Sequence, residues 1–409
     1  MSDITRASAS AVSYLLSGFP CVVVLGARQI GKTTLLRQIL PNASYYDLER
    51  LHDWERFHQD PEFALRRAPE PVVVDEAQRL PEIFPALRVL IDSERRKNGR
   101  FLLSGSSSPE LMRKVTESLA GRVAIFELSG FSLQESWGVA PSGFCAAVEE
   151  NRPEALLELK SRLTVEALLE SCLDGSYPEP VVRRQDRRFV SLWMENYFRT
   201  YIERDVRSLF PDLRLPTYRR FISMLGHASG QIINASEFAR SLDVSQPTVK
   251  SYLNIAEGTF LWRNLPSFNR NIQRRVSKMP KGHLRDTGLL NHLAGIFTTD
   301  ALLGNPLAGR IWEAFLIEEI IKGFQNRLGT ARFYYYRTHN GAEIDLIVET
   351  ASGVVPIDIK LGTAVTARSV RALSEFVQEG HSRYGIVINN ADRAGWVKEG
   401  IVQVPAGCL

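Results

Sequence analysis

The chain has 409 residues, of which 44% are hydrophobic and 23% are charged. This composition is typical of globular proteins and excludes intrinsically disordered and fibrous chains. The length exceeds one ordinary domain and predicts about two to four domains. No apolar run approaches the roughly 18 residues that a membrane span needs, and the first residues lack the apolar stretch of a signal peptide. We therefore expect a cytoplasmic protein without a membrane partner.

The net charge of +4 is unevenly distributed along the chain. Residues 181–290 contain 19 Lys and Arg against 9 Asp and Glu, so this segment carries +10 and the remainder carries −6. A basic middle of this kind indicates contact with a polyanion, and ordinary surface charge is an equal explanation. The four cysteines show neither disulfide nor metal-ligand spacing, which predicts free thiols in a reducing compartment.

The first motif is CVVVLGARQIGKTTLL, in which an apolar strand leads into a loop and then into a helix. The loop has the pattern G-x-x-x-x-G-K-T of a phosphate-binding loop, in the strand–loop–helix context that this motif requires. Its glycines let backbone N–H groups converge on phosphates at a helix N-terminus, whose dipole favours anions. Lys32 is predicted to reach the β- and γ-phosphates, and the Thr33 hydroxyl to bind Mg²⁺. The predicted nucleotide-binding residues are Gly26, Ala27, Arg28, Gln29, Ile30, Gly31, Lys32, Thr33 and Thr34.

A second apolar run, Val72–Val74, ends in two carboxylates, Asp75 and Glu76. Open parallel sheets place their ligand sites at the carboxyl ends of their strands. Asp75 is therefore predicted to join the Mg²⁺ shell through water. Glu76 is predicted to orient and deprotonate the attacking water as the catalytic base. An exposed turn is the alternative interpretation of this acidic pair.

Two more polar positions border later strand patterns. In RFLLSGSSSPEL, a buried-strand run breaks into hydroxyl residues, and Ser106 or Ser107 is predicted to sense the γ-phosphate. The alternative is a plain turn that caps the next helix. Arg122 precedes another strand, where its guanidinium would stabilise transition-state charge in cis or across a subunit boundary. A surface arginine is the alternative there.

The segment between these motifs and the basic middle has helical periodicity over 154–173 and 187–210. Within it Trp193, Tyr197 and Tyr201 recur every four residues. This spacing is more typical of core packing than of a platform for stacking nucleic-acid bases. We therefore expect a helical connection that leads into the next block.

Residues 217–265 predict three helices followed by a hairpin. The second and third helices, joined by Leu242-Asp243-Val244, form a helix-turn-helix pattern, and TFLWRNLPSF would supply the hairpin of a winged variant. In DNA-binding examples the second helix of the motif enters the major groove. Packing against another domain or a partner protein is the alternative. The predicted DNA contacts are Gln246, Thr248, Lys250, Arg274 and Arg275.

The C-terminal stretch RFYYYRTHNGAEIDLIVETASGVVPIDIK predicts a meander of three strands. Asp345 and Asp358 fall on neighbouring strands of this meander. Lys360 stands two residues after Asp358, so both side chains leave the same strand face. The helix predicted before the meander carries three acids, Glu313, Glu318 and Glu319.

The order helix acid, strand Asp, strand Asp-x-Lys resembles that of restriction-endonuclease-like nucleases. In such nucleases carboxylates hold a divalent cation and the lysine activates water or steadies the leaving phosphate. The resemblance implies a second divalent metal in a nuclease site made of Glu313, Asp345, Asp358 and Lys360, with Glu343 as a further candidate ligand. A fold retained for docking DNA or protein, without cleavage, is the alternative.

Several stretches along nearly the whole chain resemble a family of bacterial and archaeal ATPases. Its members have an AAA-type P-loop ATPase core followed by a C-terminal domain of unknown function. The resemblance implies ATP binding and hydrolysis through Lys32, Thr33, Asp75 and Glu76, and it implies no particular substrate. The matching stretches are GARQIGKTTLL, VVVDEAQRLPE, LLSGSS, SLAGRV, YFRTYIERDV, KMPKGHLRDTGLL and GAEIDLIV with PIDIK.

Together these observations predict an α/β protein of four blocks. Its partners would be ATP, Mg²⁺ and DNA, with a homo-oligomer or a protein partner left open. The competing hypothesis is a nucleotide-gated regulator whose distal domains bind a protein and whose C-terminal fold is inactive. The predicted blocks are an AAA-type ATPase domain with a parallel sheet (1–140), a helical lid or linker (141–212), a winged helix-turn-helix (213–285) and a restriction-endonuclease-like α/β domain (286–409).

Overall fold

The structure is a computed structural model that describes residues 4–106, 117–269, 279–338 and 341–409. These residues form two compact units, the first comprising residues up to 131 together with 258–260, the second comprising 132–257 and 261–409. The predicted α/β class is confirmed, with a parallel sheet in the first unit and a separate sheet near the C-terminus. All four cysteines are buried free thiols. None of the described helices is both long enough and apolar enough to cross a membrane.

The first unit is built on a five-stranded sheet with the strand order β2-β3-β4-β1-β5. Every neighbouring pair in this sheet is parallel. All residues of β1 and β3 are buried, as expected where both faces of a parallel sheet are covered. The strands are β1 (Cys21–Gly26), β2 (Ser44–Asp47), β3 (Val72–Asp75), β4 (Phe101–Ser106) and β5 (Val123–Glu127).

The helices of this unit cover the sheet with apolar side chains. Phe57, Leu87 and Ile91 pack with alternate strand residues such as Val23 and Val74 in one buried cluster. Because β4 lies between β1 and β3, the carboxyl ends of the three strands meet at one edge of the sheet. The described helices are α1 (Ala9–Gly18), α2 (Lys32–Ile39), α3 (Leu51–Gln59), α4 (Pro61–Arg67), α5 (Ile83–Ser93) and the 3₁₀ turn Ala77–Arg79.

The second unit begins with a helical segment that differs from the predicted pattern. The helix predicted over 154–173 is interrupted, because Thr164 starts a new helix by accepting a hydrogen bond from the Ala167 N–H at 3.3 Å. The helix predicted over 187–210 is α-helical only to Thr200 and continues as a π-helical turn, Tyr201–Val206. The helices are α6 (Leu133–Trp137), α7 (Phe144–Glu149), α8 (Pro153–Leu157), α9 (Val165–Asp174), α10 (Pro178–Val182), α11 (Arg187–Thr200) and α12 (Arg207–Leu209).

The aromatic residues in and beside α11 pack on one another, as their spacing predicts, with Tyr177, Tyr197 and Tyr201 buried and Trp193 half-buried. Trp193 stacks on Tyr197 with ring centroids 5.1 Å apart, and Tyr197 stacks on Tyr201 at 6.3 Å. The hydroxyl groups of Tyr177 and Tyr197 are hydrogen bonded at 2.7 Å. These rings are therefore engaged with one another.

A helix-turn-helix follows, with a small antiparallel sheet in the order β6-β8-β7. The Asn234 side chain caps its first helix and Ser245 its second, accepting from Ser236 N–H and Thr248 N–H. The predicted hairpin within TFLWRNLPSF is wrong, because that stretch supplies only β7 and the partner strand β8 lies farther along the chain. The elements are α13 (Leu215–His227), β6 (Gln231–Ile232), α14 (Ala235–Leu242), α15 (Gln246–Gly258), β7 (Trp262–Leu265) and β8 (Lys281–Leu284).

The C-terminal part carries a six-stranded sheet in the order β13-β14-β12-β11-β10-β9. The predicted meander of β9, β10 and β11 is antiparallel, whereas β11, β12 and β14 run parallel. The strands are β9 (Arg332–Arg337), β10 (Glu343–Thr350), β11 (Gly353–Ile359), β12 (Gly385–Asn389), β13 (Gly395–Lys398) and β14 (Ile401–Pro405). The helices are α16 (Thr287–Leu293), α17 (Thr299–Leu303), α18 (Ala308–Asn326), α19 (Arg371–Gln378) and the 3₁₀ turn Ala406–Cys408.

Candidate functional site

The loop between β1 and α2 has the backbone that its glycines predict. Gly31 has a φ of 88°, a left-handed conformation that glycine adopts at no steric cost. A Cβ added at Gly26 would lie 2.5 Å from the Leu128 carbonyl oxygen and 2.6 Å from the Ile30 side chain. Both positions therefore require glycine, and the loop leads directly into the N-terminus of α2.

Two buried cations hold this loop in place. The Lys32 ammonium donates to the carbonyl oxygens of Gly26 at 3.2 Å and Ala27 at 3.0 Å. The side chain of Lys32 is only 5% exposed. Arg6, which no sequence motif identifies and which lies 24 residues before Ile30, donates to the Ile30 carbonyl at 2.6 Å. These hydrogen bonds fix the loop and the Lys32 side chain at the position where the motif predicts phosphate binding.

Asp75, at the end of β3, accepts hydrogen bonds from three hydroxyl groups. Thr33 donates to its Oδ2 at 2.6 Å, Tyr45 donates to the same oxygen, and Ser104 donates to Oδ1. Burial and the hydrogen bond to Asp75 raise the pKa of Tyr45 above its ordinary value, so Tyr45 stays a neutral donor. The sequence predicted Thr33 and Asp75 as neighbours, and the structure brings them into direct contact. Ser104 and Tyr45 were missed.

Glu76 and Ser106 also meet, as the order of the strands requires. The Ser106 hydroxyl donates to Glu76 Oε2 at 3.1 Å, and the Gln78 side chain donates to the same oxygen. Glu76 N–H donates to Ser104 Oγ at 3.1 Å. Glu76 has a φ of 56°, a left-handed conformation that costs a non-glycine residue about 1 kcal/mol. This backbone turns the carboxylate away from the strand direction, toward Ser106.

Arg122 does not join this constellation. It immediately precedes β5, whose first residue Val123 is in register with Cys21 at the start of β1, whereas the phosphate-binding loop follows the end of β1. Its guanidinium makes a two-point ion pair with Asp92, at 2.8 and 2.9 Å. The predicted action of Arg122 in cis is therefore corrected, because it lies at the opposite edge of the sheet. Its action across a subunit boundary stays a prediction.

The C-terminal acids predicted as a nuclease site do converge. Asp345 and Asp358 lie on adjacent strands, and Lys360 contacts them at 3.8 and 2.8 Å. Glu313 of α18 reaches the same cluster through Lys281, which lies 2.6 Å from its carboxylate. The other helix acids are engaged elsewhere. Glu318 pairs with Arg263 and His283, and Glu319 pairs with Lys322.

Burial and crowding change the acidity of this cluster. Burial, together with the neighbouring Asp345 carboxylate, raises the pKa of Glu313 and of Asp358 to about 8. Burial alone would lower the pKa of Lys281, but Glu313, Asp345 and Glu343 raise it above its ordinary value. Within the described ranges no group of three or more His, Cys, Asp and Glu is arranged to hold a metal ion. The expected second metal site therefore has no support in the geometry.

The helix-turn-helix leaves one face of α15 exposed. Val249, Tyr252 and Ile255 are buried on the opposite face. Thr248 is half-buried and is hydrogen bonded to Ser245 at 2.8 Å. Arg274 and Arg275, predicted to contact phosphates, lie outside the described residues. The exposed face presents Gln246, Lys250, Ser251 and Asn254, of which the sequence predicted the first two.

Comparison with known families divides the chain into three matched segments. Residues 18–137 match the model of the AAA domain. Residues 165–300 and 308–409 match two models described as Domain of unknown function, DUF8612 and DUF4143. The first match includes the phosphate-binding loop, Asp75 and Glu76, and the last includes Glu313, Asp345, Asp358 and Lys360.

Relatives of known sequence match over nearly the full length. An uncharacterized protein of Mycobacterium tuberculosis is 35% identical over 404 residues, which covers 98% of this chain and 83% of the relative. An uncharacterized protein of Mycobacterium bovis matches with the same identity and coverage. The chain belongs to their family. This family joins an AAA-type P-loop ATPase domain to the C-terminal domain of unknown function.

The solved structures that match this chain have lower sequence identity than these relatives. A Walker-type ATPase of Pyrococcus abyssi is 15% identical, with a TM-score of 0.40, covering 70% of this chain and 94% of that chain. The Thermotoga maritima RuvB Holliday junction branch migration motor is 16% identical, with a TM-score of 0.31, covering 64% and 90%. TM-scores of this size do not extend the assignment beyond the family.

Proposed function

We propose that this chain binds ATP with Mg²⁺ and hydrolyses it. The observation that carries the proposal is the meeting of the Thr33 hydroxyl with the buried Asp75 carboxylate beside the loop that holds Lys32. A hydroxyl and a carboxylate in contact are oxygen ligands of the kind that Mg²⁺ prefers. The loop would bind phosphates because it leads into the N-terminus of α2, where backbone N–H groups and the helix dipole favour anions.

Each residue of the proposed site has a separate task. Lys32 would exchange its two carbonyl partners for phosphate oxygens and supply positive charge to them. Thr33 and Asp75 would hold Mg²⁺, which supplies charge neutralisation at the phosphates when bound. Glu76 would take the proton of the attacking water, with Ser106 holding its carboxylate in place. Ser104 would brace both acids, since it contacts Asp75 and the Glu76 backbone.

Removal of the Lys32 ammonium tests this assignment. We expect the purified chain to release phosphate from ATP only when Mg²⁺ is present. Lys32→Ala should weaken ATP binding at least about tenfold and abolish most turnover, because the ammonium contacts the phosphates directly. Lys97→Ala, at an exposed lysine of the same unit, is the matched control and should behave as the parent. Normal ATP binding and turnover in Lys32→Ala would contradict the proposal.

A second function, association with DNA, is favoured by the exposed face of α15. Gln, Lys, Ser and Asn are the side chains that hydrogen-bond base edges and phosphates. The segment that contains this helix carries the +10 charge of the chain. The competing function is docking of a partner protein on the same helix. A DNA-binding constant whose logarithm falls linearly with the logarithm of salt concentration would support association with DNA. Absence of DNA binding would support docking of a partner protein.

We assign no cleavage activity to the C-terminal acids. Lys281 and Lys360 both lie within ion-pair distance of Asp345, so ammonium groups already balance the carboxylates. A metal-dependent nuclease would need a divalent cation among those carboxylates. The cluster therefore supports a binding or structural task for this domain better than a catalytic one.

A further inference from the structure

Lys281 is the first residue of β8, and its side chain lies among three carboxylates from other elements. Its Nζ is 2.6 Å from Glu313 on α18, 2.5 Å from Glu343 on β10 and 3.8 Å from Asp345 on β10. The lysine is only 3% exposed. One ammonium thus occupies the point at which acids from a helix and from a strand converge.

The strand that carries Lys281 is fixed by a second contact on the same face. His283, two residues later, meets Glu318 of α18 at 2.9 Å, and alternate residues of a strand point to one side. Arg263 of the neighbouring β7 pairs with Glu318 as well. Strand β8 is therefore held against α18 at two positions, five residues apart on the helix. The position of Lys281 follows from this docking and not from a freely moving side chain.

Buried carboxylates this close repel each other unless a proton or a cation joins them. In the metal sites of many enzymes a divalent cation has that task. We propose that the Lys281 ammonium is the built-in cation of this cluster, and that it keeps divalent metal ions out while β8 is docked on α18.

This assignment explains two features together. The acids that the sequence predicts as metal ligands do converge, yet the described residues contain no arrangement suited to a metal ion. Both are expected if an ammonium fills the position between Glu313, Glu343 and Asp345. Metal-dependent chemistry at these acids would require β8 to withdraw, so β8 closes the C-terminal cluster.

Lys281→Ala tests the proposal directly in the full chain. Removing the ammonium leaves carboxylates that a Mn²⁺ ion can join, so the variant should bind Mn²⁺ at least tenfold more tightly than the parent. The measurement is a nucleotide-free calorimetric titration with MnCl₂, in which any binding at the ATPase unit is common to both proteins. Thermal denaturation should show a Mn²⁺-dependent rise in Tm for the variant and little change for the parent.

Lys322→Ala is the matched control, because Lys322 is also buried and pairs with Glu319 at 2.6 Å, away from Glu313, Glu343 and Asp345. It should lose stability without gaining Mn²⁺ affinity. If Lys281→Ala does not fold in metal-free buffer, refolding with and without MnCl₂ replaces the titration, and Mn²⁺ should restore folding. A folded Lys281→Ala without increased Mn²⁺ affinity, or an unfolded one that Mn²⁺ does not rescue, overturns the proposal.

Discussion

At the scale of single residues, the first unit places two adjacent acids in different surroundings. Asp75 is 2% exposed and accepts hydrogen bonds from three hydroxyl groups. Glu76 is half-buried and keeps its carboxylate beside Ser106 and Gln78. The first surroundings suit a fixed ligand of a metal ion, and the second suit a group that must exchange a proton. Under the proposed function, this strand end therefore presents two carboxylates for two tasks.

Glu76→Gln separates these tasks. The amide retains an oxygen that can accept from Ser106 but cannot take a proton, so ATP binding should be unchanged while turnover falls about 100-fold or more. The measurement is single-turnover phosphate release beside a nucleotide-binding titration. Glu82→Gln, at an exposed position a few residues later, should leave both unchanged. Normal turnover in Glu76→Gln would place the base at another residue.

Ser104 is a residue that the sequence could have indicated. It stands two positions before Ser106 on β4, and residues at this spacing share a strand face. The run of hydroxyl residues that ends the strand favoured Ser106 and Ser107 instead. Tyr45 offered no such signal, because its contact with Asp75 depends on which strands become neighbours. Arg6 offered none either, because it lies before the first helix and its contact with Ile30 depends on how that segment packs.

At the scale of elements, α15 shows how periodicity divides a helix between core and surface. Its buried residues recur at three- and four-residue spacing, which fixes Gln246, Lys250 and Asn254 on the opposite face. Ser245 caps the helix and Pro247 lies in its first turn. The residues of this turn from Ser245 to Pro247 are exposed. That turn is the part which enters the major groove in DNA-binding examples.

The triple change Gln246→Ala, Lys250→Ala and Asn254→Ala tests the proposed DNA face. We expect DNA affinity to fall at least about tenfold and the salt slope to become shallower by about one, because one phosphate-contacting lysine is lost. Gel shifts at several salt concentrations measure both effects. Lys398→Ala, at an exposed lysine on β13, is the control. Unchanged DNA binding by the triple variant would move the contact away from α15.

Strand β8 is the element that the sequence described least well. The segment between β7 and β8 is longer than the two to five residues of a tight hairpin. The residues of a tight turn therefore could not predict this pairing. Its polar residues Lys281 and His283 look like surface residues in the sequence. Both are buried because the strand covers α18, and there Lys281 pairs with Glu313 and His283 with Glu318.

At the scale of the whole molecule, stability depends on carboxyl groups that are buried in the second unit. Asp174, at the end of α9, is 3% exposed and pairs with Arg187. Burial raises the pKa of its carboxyl from 3.8 to about 6, and Arg187 opposes that rise. Because the folded-state pKa is the higher one, the contribution of Asp174 to stability is present below pH 4 and is lost as the pH rises through 6.

Asp174→Asn should therefore become more stable relative to the parent as the pH rises from 4.5 to 7. The expected change is on the order of 2 kcal/mol over this range, since the amide cannot ionise. Chemical denaturation at a series of pH values measures the difference. Asp92→Asn is the control, because Arg122 lowers the pKa of Asp92 to about 2, so its difference should be flat over the same range. A flat difference for Asp174→Asn would contradict the assignment.

The sequence by itself determined the features whose parts are adjacent in the chain. Gly26, Gly31, Lys32 and Thr33 fall within eight residues, so the strand, loop and helix N-terminus follow from local backbone chemistry. The α/β class and the C-terminal meander likewise follow from the period of the apolar residues. Strand pairing across a tight turn is also local, which is why Asp345 and Asp358 were correctly expected on neighbouring strands.

Only the tertiary structure decided which distant residues share a site. The order of the strands put Ser104 and Tyr45 on Asp75 and put Arg122 at the far edge of its sheet. The docking of β8 on α18 put an ammonium where the motif predicted a metal ion. The physical reason is that the sequence around a charged residue does not specify its partner in space. That partner depends on which surfaces are buried together when the chain folds.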